Sequence, residues 1–302
     1  MRMPSGFTSK RLNRGFTLAE IAIVTLILGL MVVGVLGALT TQINQGRASA
    51  TQRQLDEIRE SLLGFAAQTG YLPCPDTDGD GIENAPNRNV ATPLTCTAAE
   101  GFLPWVTLGV AQADAWGIRF RYRIKDEFAR PSAANSPIVG GSTPIGGCAA
   151  TGGITDPNPT TDPNNCTFDI QDTGDMRINT RGGATGKILV TLAGGTPNSG
   201  IGIPVVVMSF GKNGFGGVDS YGNQRPLPPV QNVDETANYT VPGPAAVPPA
   251  VARLFVSRTS KEADAVCLDG ASAAPLCEFD DIVTWISAPL LISKLIQANR
   301  LP

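Results

Sequence analysis

Three aspartates at alternate positions, Asp76, Asp78 and Asp80, stand in the segment C-P-D-T-D-G-D-G-I-E-N. Carboxylates spaced by two residues can converge on one hard cation such as calcium, and Gly81 permits the sharp turn that this needs. The pattern matches the first half of an EF-hand loop and then departs from it, because position twelve is Asn87 and no helical pattern flanks the segment. The segment predicts either a calcium-binding loop that is not an EF-hand or a solvated acidic turn.

Histidine is absent from the chain. Its absence excludes Ser/His/Asp and Cys/His nucleophile systems and every zinc site that needs imidazole. The sequence also offers no motif for catalysis by paired carboxylates, by Ser/Lys or by an oxygen-held metal. We therefore predict that the protein is not an enzyme, and we keep a membrane-anchored periplasmic enzyme as the least favoured alternative.

Six cysteines fall into three couples that are local in sequence, with no CxxC pair of the zinc-ribbon kind. Fifteen connectivities are possible for six cysteines, and the choice below assumes that near neighbours pair. The predicted disulfides are Cys74–Cys96, Cys148–Cys166 and Cys267–Cys277. Disulfides place the protein in an oxidising compartment, the periplasm or the cell surface.

The N-terminal region contains a long apolar segment. Residues 1–15 carry four basic residues and no acid, and an apolar run interrupted only by Thr25 follows from Ile21 to Leu39. Nineteen helical residues rise about 28 Å, close to the thickness of the hydrocarbon core. The pattern predicts a transmembrane segment with a cytoplasmic N-terminus. A plain anchor or a signal peptide is the alternative, although no A-x-A cleavage pattern follows the run.

A long helix is predicted to carry this segment, because no proline occurs between Pro4 and Pro73. The helix can run from about Thr17 to Thr69, with Gly70 as its C-cap. Beyond the apolar segment, four large apolar residues recur at spacings of three, four and three and so share one face. They are Leu55, Ile58, Leu62 and Phe65, and we expect this face to pack against a globular head.

The stretch G-F-T-L-A-E-I at residues 15–21 resembles the cleavage and methylation signature of type IV prepilins and type II secretion pseudopilins. The resemblance implies that prepilin peptidase cuts after Gly15 and that the new N-terminus, Phe16, is methylated. It further implies that Glu20 neutralises the Phe16 amine of a neighbouring subunit, because an unpaired charge in an apolar bundle is prohibitive whereas a pair of opposite sign fixes the stagger. The implied partners are other pilin or pseudopilin subunits, prepilin peptidase, an inner-membrane assembly platform and membrane lipid.

Three islands of the head resemble the major pseudopilin of type II secretion and follow its order: D-A-W-G-I-R-F-R-Y from 114, S-F-G-K-N-G-F-G-G from 209 and D-D-I-V-T-W from 280. In that family the second and third islands hold calcium, so the resemblance implies a calcium site at Asp280 and Asp281. Asn213 stands where an aspartate is usual, which removes one charge and lowers the expected affinity. The alternative is a turn-forming N-G with solvated acids.

The head is predicted to be an antiparallel sheet with a C-terminal helix. Strands are expected where β-branched and aromatic residues cluster, at 118–125, 187–192, 203–210, 251–257 and 282–286. Ser287 is the expected N-cap of a helix ending near Asn299, and two stretches, 130–186 and 222–250, have loop composition. The predicted fold class is therefore α+β: a long N-terminal transmembrane helix packed on an antiparallel-sheet head with long disulfide-stapled loops.

The predicted organisation has three parts: a leader at 1–15, a helix at 16–70 with its transmembrane half at 21–39, and a periplasmic head at 71–302. Such a chain would be a single-pass inner-membrane protein that enters a periplasmic or surface filament. We therefore predict a structural subunit, a pseudopilin or minor pilin of a type II secretion or type IV pilus system.

An adhesin or DNA-uptake module on the same scaffold is the alternative function. Loss of the leader leaves 19 basic against 26 acidic residues, a formal charge of −7, which disfavours nonspecific binding to nucleic acid. Basic residues do alternate in one short stretch, and this alternation predicts the exposed face of a strand. They are Arg119, Arg121, Arg123 and Lys125.

Overall fold

A computed structural model of the chain describes residues 17–85, 96–129, 174–182, 188–190, 202–239, 253–262 and 276–300. The chain divides into two units, Met1–Gly46 and Arg47–Pro302. The predicted head boundary at residue 71 therefore falls later than the boundary between these units. The second unit contains the sheets and the C-terminal part of the first helix.

Helix α1 runs from Leu18 to Thr69, 52 residues, which confirms the predicted long helix. Its end has the expected cap, because Gly70 adopts a φ of 88° and its N–H donates to the carbonyl of Ala66 at 2.8 Å. Arg300, near the other end of the chain, also donates to the last carbonyls of α1, through Nε to Ala67 at 3.1 Å and through its second guanidinium nitrogen to Gln68.

The membrane-spanning prediction is wrong. Within the described part of the chain, no helix combines the length and the apolar character needed to cross a membrane. This finding overturns the transmembrane half at 21–39, the transmembrane part of the predicted fold class and the single-pass inner-membrane localisation.

An antiparallel four-stranded sheet forms the centre of the head, in the order β1-β2-β5-β7. Its strands are β1 Glu100–Phe102, β2 Arg121–Ile124, β5 Val205–Ser209 and β7 Ile282–Ile286. Helix α2, Trp105–Leu108, follows β1, and helix α4, Ala288–Gln297, follows β7. The structure confirms the predicted sheet and C-terminal helix.

A three-stranded sheet, in the order β4-β3-β6, was only partly predicted. It consists of β3 Met176–Asn179, β4 Ile188–Val190 and β6 Arg253–Val256, and the β3–β6 pair is parallel. Helix α3, Val233–Tyr239, lies in the second stretch that was expected to be loop. Both loop predictions are therefore corrected in part, since 130–186 contains β3 and 222–250 contains α3.

The first core lies between α1 and the four-stranded sheet. Leu55, Ile58 and Leu62 are fully buried there, as their spacing predicts, whereas Phe65 is only partly buried. Phe65 instead meets the ring of Tyr71 edge to face, at a centroid distance of 5.9 Å. The sheet contributes Tyr122, Ile124, Val205, Val207 and Ile286 to this core, and α4 contributes Leu291 and Leu295.

The second core lies on the opposite face of the same sheet, against the three-stranded sheet. Val206 and Met208 of β5 meet Met176, Ile178 and Phe255 there. Successive residues of a strand point to opposite faces, so β5 supplies alternate side chains to each core. All five of its residues are buried, as expected for a strand that is covered on both faces.

The second sheet also corrects the prediction of an exposed basic strand face. Arg123 is 7% exposed and donates to Asp175 at 2.8 Å. Arg121 donates to the buried Glu100 at 2.6 Å, and the Arg119 guanidinium lies 5.2 Å from the ring of Phe102. These arginines bind parts of their own fold and do not form an open basic surface.

The Cys74–Cys96 disulfide is present as predicted, with the two Cα atoms 5.4 Å apart. Cys277 is also disulfide-bonded. Its predicted partner Cys267 and the predicted Cys148–Cys166 pair lie outside the described residues, so those pairings stay predictions.

Candidate metal centre

Three acidic side chains from two separate segments converge beside the four-stranded sheet, and we call them the metal centre: Glu235, Asp280 and Asp281. Each offers a carboxylate oxygen, and these oxygens lie within 4.8 Å of one another. Asp281 is 6% exposed and Glu235 is 1% exposed. Sequence reasoning found the two aspartates and missed the glutamate.

The position of Glu235 follows from the start of helix α3. Its backbone N–H donates to Oδ1 of Asn232 at 3.2 Å, which makes Asn232 the N-cap of the helix. The side chain of Asn232 also donates from Nδ2 to Oε2 of Glu235 at 2.9 Å. This reciprocal pair at N-cap and N3 holds the carboxylate in place, in the manner of a capping box.

Asp280 and Asp281 immediately precede β7 and face the turn that follows β5. The N–H of Asn213 in that turn donates to Oδ2 of Asp280 at 2.8 Å. Gly211 adopts a φ of 60° and lies so close that a Cβ atom there would be 2.2 Å from the carbonyl oxygen of Asp280. The turn therefore needs glycine at this position in order to approach the metal centre.

Asn213 itself contacts the metal centre through its amide nitrogen. Nδ2 donates to Oε1 of Glu235 at 2.9 Å, while Oδ1 accepts from the N–H of Phe215 at 2.9 Å. The predicted oxygen ligand is thus directed to the backbone of its own turn. In this arrangement Asn213 positions Glu235 and Asp280.

The electrostatics of the metal centre are unbalanced. Burial, with Asn213 opposing it and Asp280 adding to it, raises the pKa of Glu235 to about 8. Burial also raises the pKa of Asp280 to about 7, and burial followed by the charge of Glu235 raises the pKa of Asp281 well above its usual value. No described residue makes an ion pair with any of the three carboxylates.

Two buried oxygens of the metal centre also lack a donor. Oδ1 of Asp280 and Oδ1 of Asp281 accept no hydrogen bond from the described part of the chain. A buried polar atom without a partner costs about 1–3 kcal/mol, so such atoms need an explanation. A hard cation supplies one, because calcium binds oxygen at about 2.3–2.6 Å and two ligands of one ion then lie within about 5 Å of each other. The residues fit calcium.

The acidic loop, defined by Asp76, Asp78 and Asp80, also brings its carboxylate oxygens within 4.8 Å of one another. Here, however, the backbone already uses the buried member. Asp76 accepts from the N–H groups of Asp78, Gly79 and Gly81 at 3.1, 2.7 and 2.9 Å. The loop is closed by these bonds without a cation, and calcium binding there stays a prediction.

The predicted processing site is only partly described. Gly15 and Phe16 lie outside the described residues, whereas Glu20 is exposed in the first turn of α1. Its Oε2 accepts from the N–H and from the hydroxyl of Thr17, both at 2.8 Å, and its own N–H donates to the Thr17 hydroxyl at 3.3 Å. Thr17 and Glu20 thus form a capping box. These bonds to the Thr17 backbone and hydroxyl lower the pKa of Glu20.

No protein-family model matches the chain, and neither a curated protein nor a solved structure matches it.

Proposed function

We propose that this protein is a structural subunit of a pilin-like filament, a pseudopilin or minor pilin, and that its head binds calcium at the metal centre. The observation that carries the filament proposal is the division of helix α1. Leu18 and other apolar residues up to Met31 are between 46% and 89% exposed, whereas Leu55, Ile58 and Leu62 are fully buried in the head. An exposed apolar stretch needs a covering partner, and equivalent helices of neighbouring subunits supply one.

The sequence around the start of α1 supports the same proposal. The Gly15–Phe16 bond and Glu20 match the signature that prepilin peptidase and neighbouring subunits read. Prepilin peptidase and an assembly platform would then be partners in addition to the other subunits. Catalysis is not required of such a subunit, which agrees with a sequence that contains no histidine.

Calcium, rather than magnesium, fits the metal centre best. Magnesium keeps several of its waters and demands a regular octahedron, whereas calcium accepts irregular sets of protein oxygens. The metal centre offers three carboxylates from two segments, of which Glu235 and Asp281 are buried and Asp280 is half-buried. Calcium bound there adds positive charge beside carboxylates that only the more distant charges of Lys212 and Arg258 offset among the described residues.

Mass spectrometry of the intact N-terminus tests the filament proposal. We expect the chain to start at methylated Phe16 in cells that contain prepilin peptidase and to keep Met1 in cells that lack it. A chain that keeps Met1 in both strains contradicts the proposal. Calcium binding is tested separately by titration calorimetry of the metal-free chain at pH 8, where absence of binding contradicts that part alone.

A further inference from the structure

Helix α3 buries a polar face. Its buried residues are Asp234, Glu235 and Asn238, and each of them bonds to a different part of the head. Burial of carboxylates is unfavourable unless a positive charge or a set of donors balances it. The groups that compensate the burial of each of these three side chains therefore decide what holds the helix in place.

Asp234 is balanced by the protein itself. Its Oδ2 accepts from Nε of Arg258 at 2.6 Å, and its Oδ1 accepts from the N–H of Gly182 at 2.6 Å. Arg258 follows β6 and Gly182 follows β3, so these bonds attach α3 to the three-stranded sheet. This attachment is complete without a cation.

Asn238 joins the two sheets. Its Oδ1 accepts from the N–H of Val256 in β6 at 2.7 Å, and its Nδ2 donates to the Val256 carbonyl at 3.1 Å. The same Nδ2 donates to Oδ2 of Asp281, beside β7, at 2.8 Å. One side chain thus bonds the edge strand of the second sheet to the segment that leads into the first.

Glu235 is the unbalanced member. It faces Asp280 and Asp281 of the four-stranded sheet, and its neighbouring carboxylates repel it when all three are ionised. The side-chain amides of Asn213 and Asn232 and the backbone N–H of Asp280, the last at 3.3 Å, donate to the Glu235 carboxylate without neutralising it. In the absence of a cation, neutral hydrogen bonds hold α3 to the four-stranded sheet against the mutual repulsion of three carboxylates, whereas an ion pair holds it to the three-stranded sheet.

We propose that Glu235 is a ligand of the cation at the metal centre, and that the cation fastens α3, together with β6, onto the β5–β7 edge of the four-stranded sheet. This inference rests on the proposed calcium site and adds a function to it. With calcium bound, the two sheets share one ion. Without it, α3 stays attached to the three-stranded sheet through Asp234, and the contact between the sheets loosens at the metal centre.

Hydrogen exchange of the full chain, measured by mass spectrometry with calcium or with a chelator, tests the inference. If opening of α3 releases the ion, calcium at about 100 times its Kd slows exchange of α3 and β6 amides about 100-fold. Amides of β2, residues 121–124, provide the internal reference and are expected to change less than about twofold. Glu235→Gln should weaken calcium binding and abolish the slowing in α3 and β6.

Asp80→Asn is the matched control, because it removes one carboxylate from the acidic loop and leaves the metal centre intact. It is expected to keep the full calcium response of α3 and β6. Calcium binding of unchanged affinity in Glu235→Gln, or binding without slower exchange of α3 in the unmodified chain, would overturn the inference while leaving the calcium site standing. Failure of the unmodified chain to bind calcium would rule out the calcium site itself. A calcium response that disappears in Asp80→Asn would assign the effect to the acidic loop and overturn the inference.

Discussion

Asn238 donates from Nδ2 to Oδ2 of Asp281 at 2.8 Å. The same Asn238 side chain bonds both backbone groups of Val256 in strand β6, so it satisfies three buried polar groups at once when the Asp281 carboxylate is included. A side chain that only accepts hydrogen bonds would not suit this position, because Oδ1 of Asp281 already lacks a donor among the described residues.

Replacing Asn238 by Asp keeps the size of the side chain and removes its donors. A fourth carboxylate would then face Asp281, so we expect metal-free Asn238→Asp to lose about 2–4 kcal/mol of stability in urea unfolding at pH 8. Asn223→Asp, in an exposed turn, is the control and should change stability by less than about 0.5 kcal/mol. A metal-free Asn238→Asp protein as stable as the original would contradict the role assigned to this amide.

Stability of the metal-free protein should fall as the pH rises. Glu235 and Asp280 have pKa values of about 8 and about 7 in the fold, above their usual values of 4.5 and 3.8. The folded state therefore binds more protons than the unfolded state between about pH 4 and pH 8, and their contribution to stability is lost as the pH rises through this window. Because the proposed calcium ion would bind the ionised carboxylates, adding calcium should reverse the trend.

Thermal unfolding at pH 5, 6.5 and 8, with chelator and with calcium, checks this prediction. The gain in Tm on adding calcium should grow from pH 5 to pH 8. The calcium gain in Tm should depend much less on pH in Glu235→Gln, because the glutamine side chain carries no charge at any of these pH values. A calcium gain that is equal at all three pH values would contradict it.

Glu100 holds three arginines together between the sheets. Its carboxylate lies 2.6 Å from Nε of Arg121 and 3.2 Å from Nε of Arg253, and it lies 3.5 Å from the nearest guanidinium nitrogen of Arg123. Burial alone would raise the pKa of Glu100, but the charges of Arg253, Arg121 and Arg123 together lower it. Removal of this one negative charge leaves three cations facing each other.

We expect Glu100→Gln to destabilise the head by about 3–5 kcal/mol, as for other buried ion pairs that lose one partner. Glu262→Gln breaks an exposed pair with Lys212 and should cost less than about 1 kcal/mol. Urea unfolding of the two variants at pH 7 provides the comparison. Similar losses in both would show that burial of the Glu100 network does not matter.

Glu20 has two candidate roles, as a cap for its own helix and as a partner for the Phe16 amine of the next subunit. Thr17→Ala removes the capping box and keeps the carboxylate, whereas Glu20→Gln keeps a side chain that can cap and removes the charge. If pairing between subunits matters, filament assembly should fall at least about tenfold in Glu20→Gln and remain near normal in Thr17→Ala. Immunoblots of sheared filaments against total protein measure this ratio.

The opposite order, with Thr17→Ala more damaging than Glu20→Gln, assigns Glu20 to helix capping and contradicts the pairing hypothesis. Both variants keep Gly15 and Phe16, so the measurement does not depend on a change at the predicted cleavage site.

Within the unit Arg47–Pro302, the sequence predicted the elements whose hydrophobic pattern is strong. The spacing of Leu55, Ile58 and Leu62 identified the buried face of α1, and the apolar run at 282–286 coincides with β7. Cys74 and Cys96 pair as their separation suggested. These signals are local, and nothing elsewhere in the fold overrides them.

Helix α3 had no hydrophobic signal to find. It is seven residues long and its buried side chains are polar, so apolar periodicity does not reveal it. The one local indication is Asn232 followed three residues later by Glu235, a capping pattern at the start of a helix. Glu235 was missed for the same reason, because only the fold brings it to Asp280 and Asp281.

The basic strand was misinterpreted because alternation alone does not tell solvent from a second sheet. Tyr122 and Ile124 face the first core, and Arg121 and Arg123 point to the other side. That side is covered by β3 and β6, where Asp175, just before β3, pairs with Arg123, and Arg253 of β6 pairs with Glu100. Only knowledge of contacts between residues distant in sequence could have predicted that this face is covered.

Strand β5 lies between the two hydrophobic cores and contributes side chains to both. Val207 packs towards the helices and Val206 towards the second sheet, and both are 1% exposed. Because backbone shifts in one shared strand reach both sides, truncations of these two valines should not act independently. A designer who wished to repack either core of this protein would have to repack the other with it.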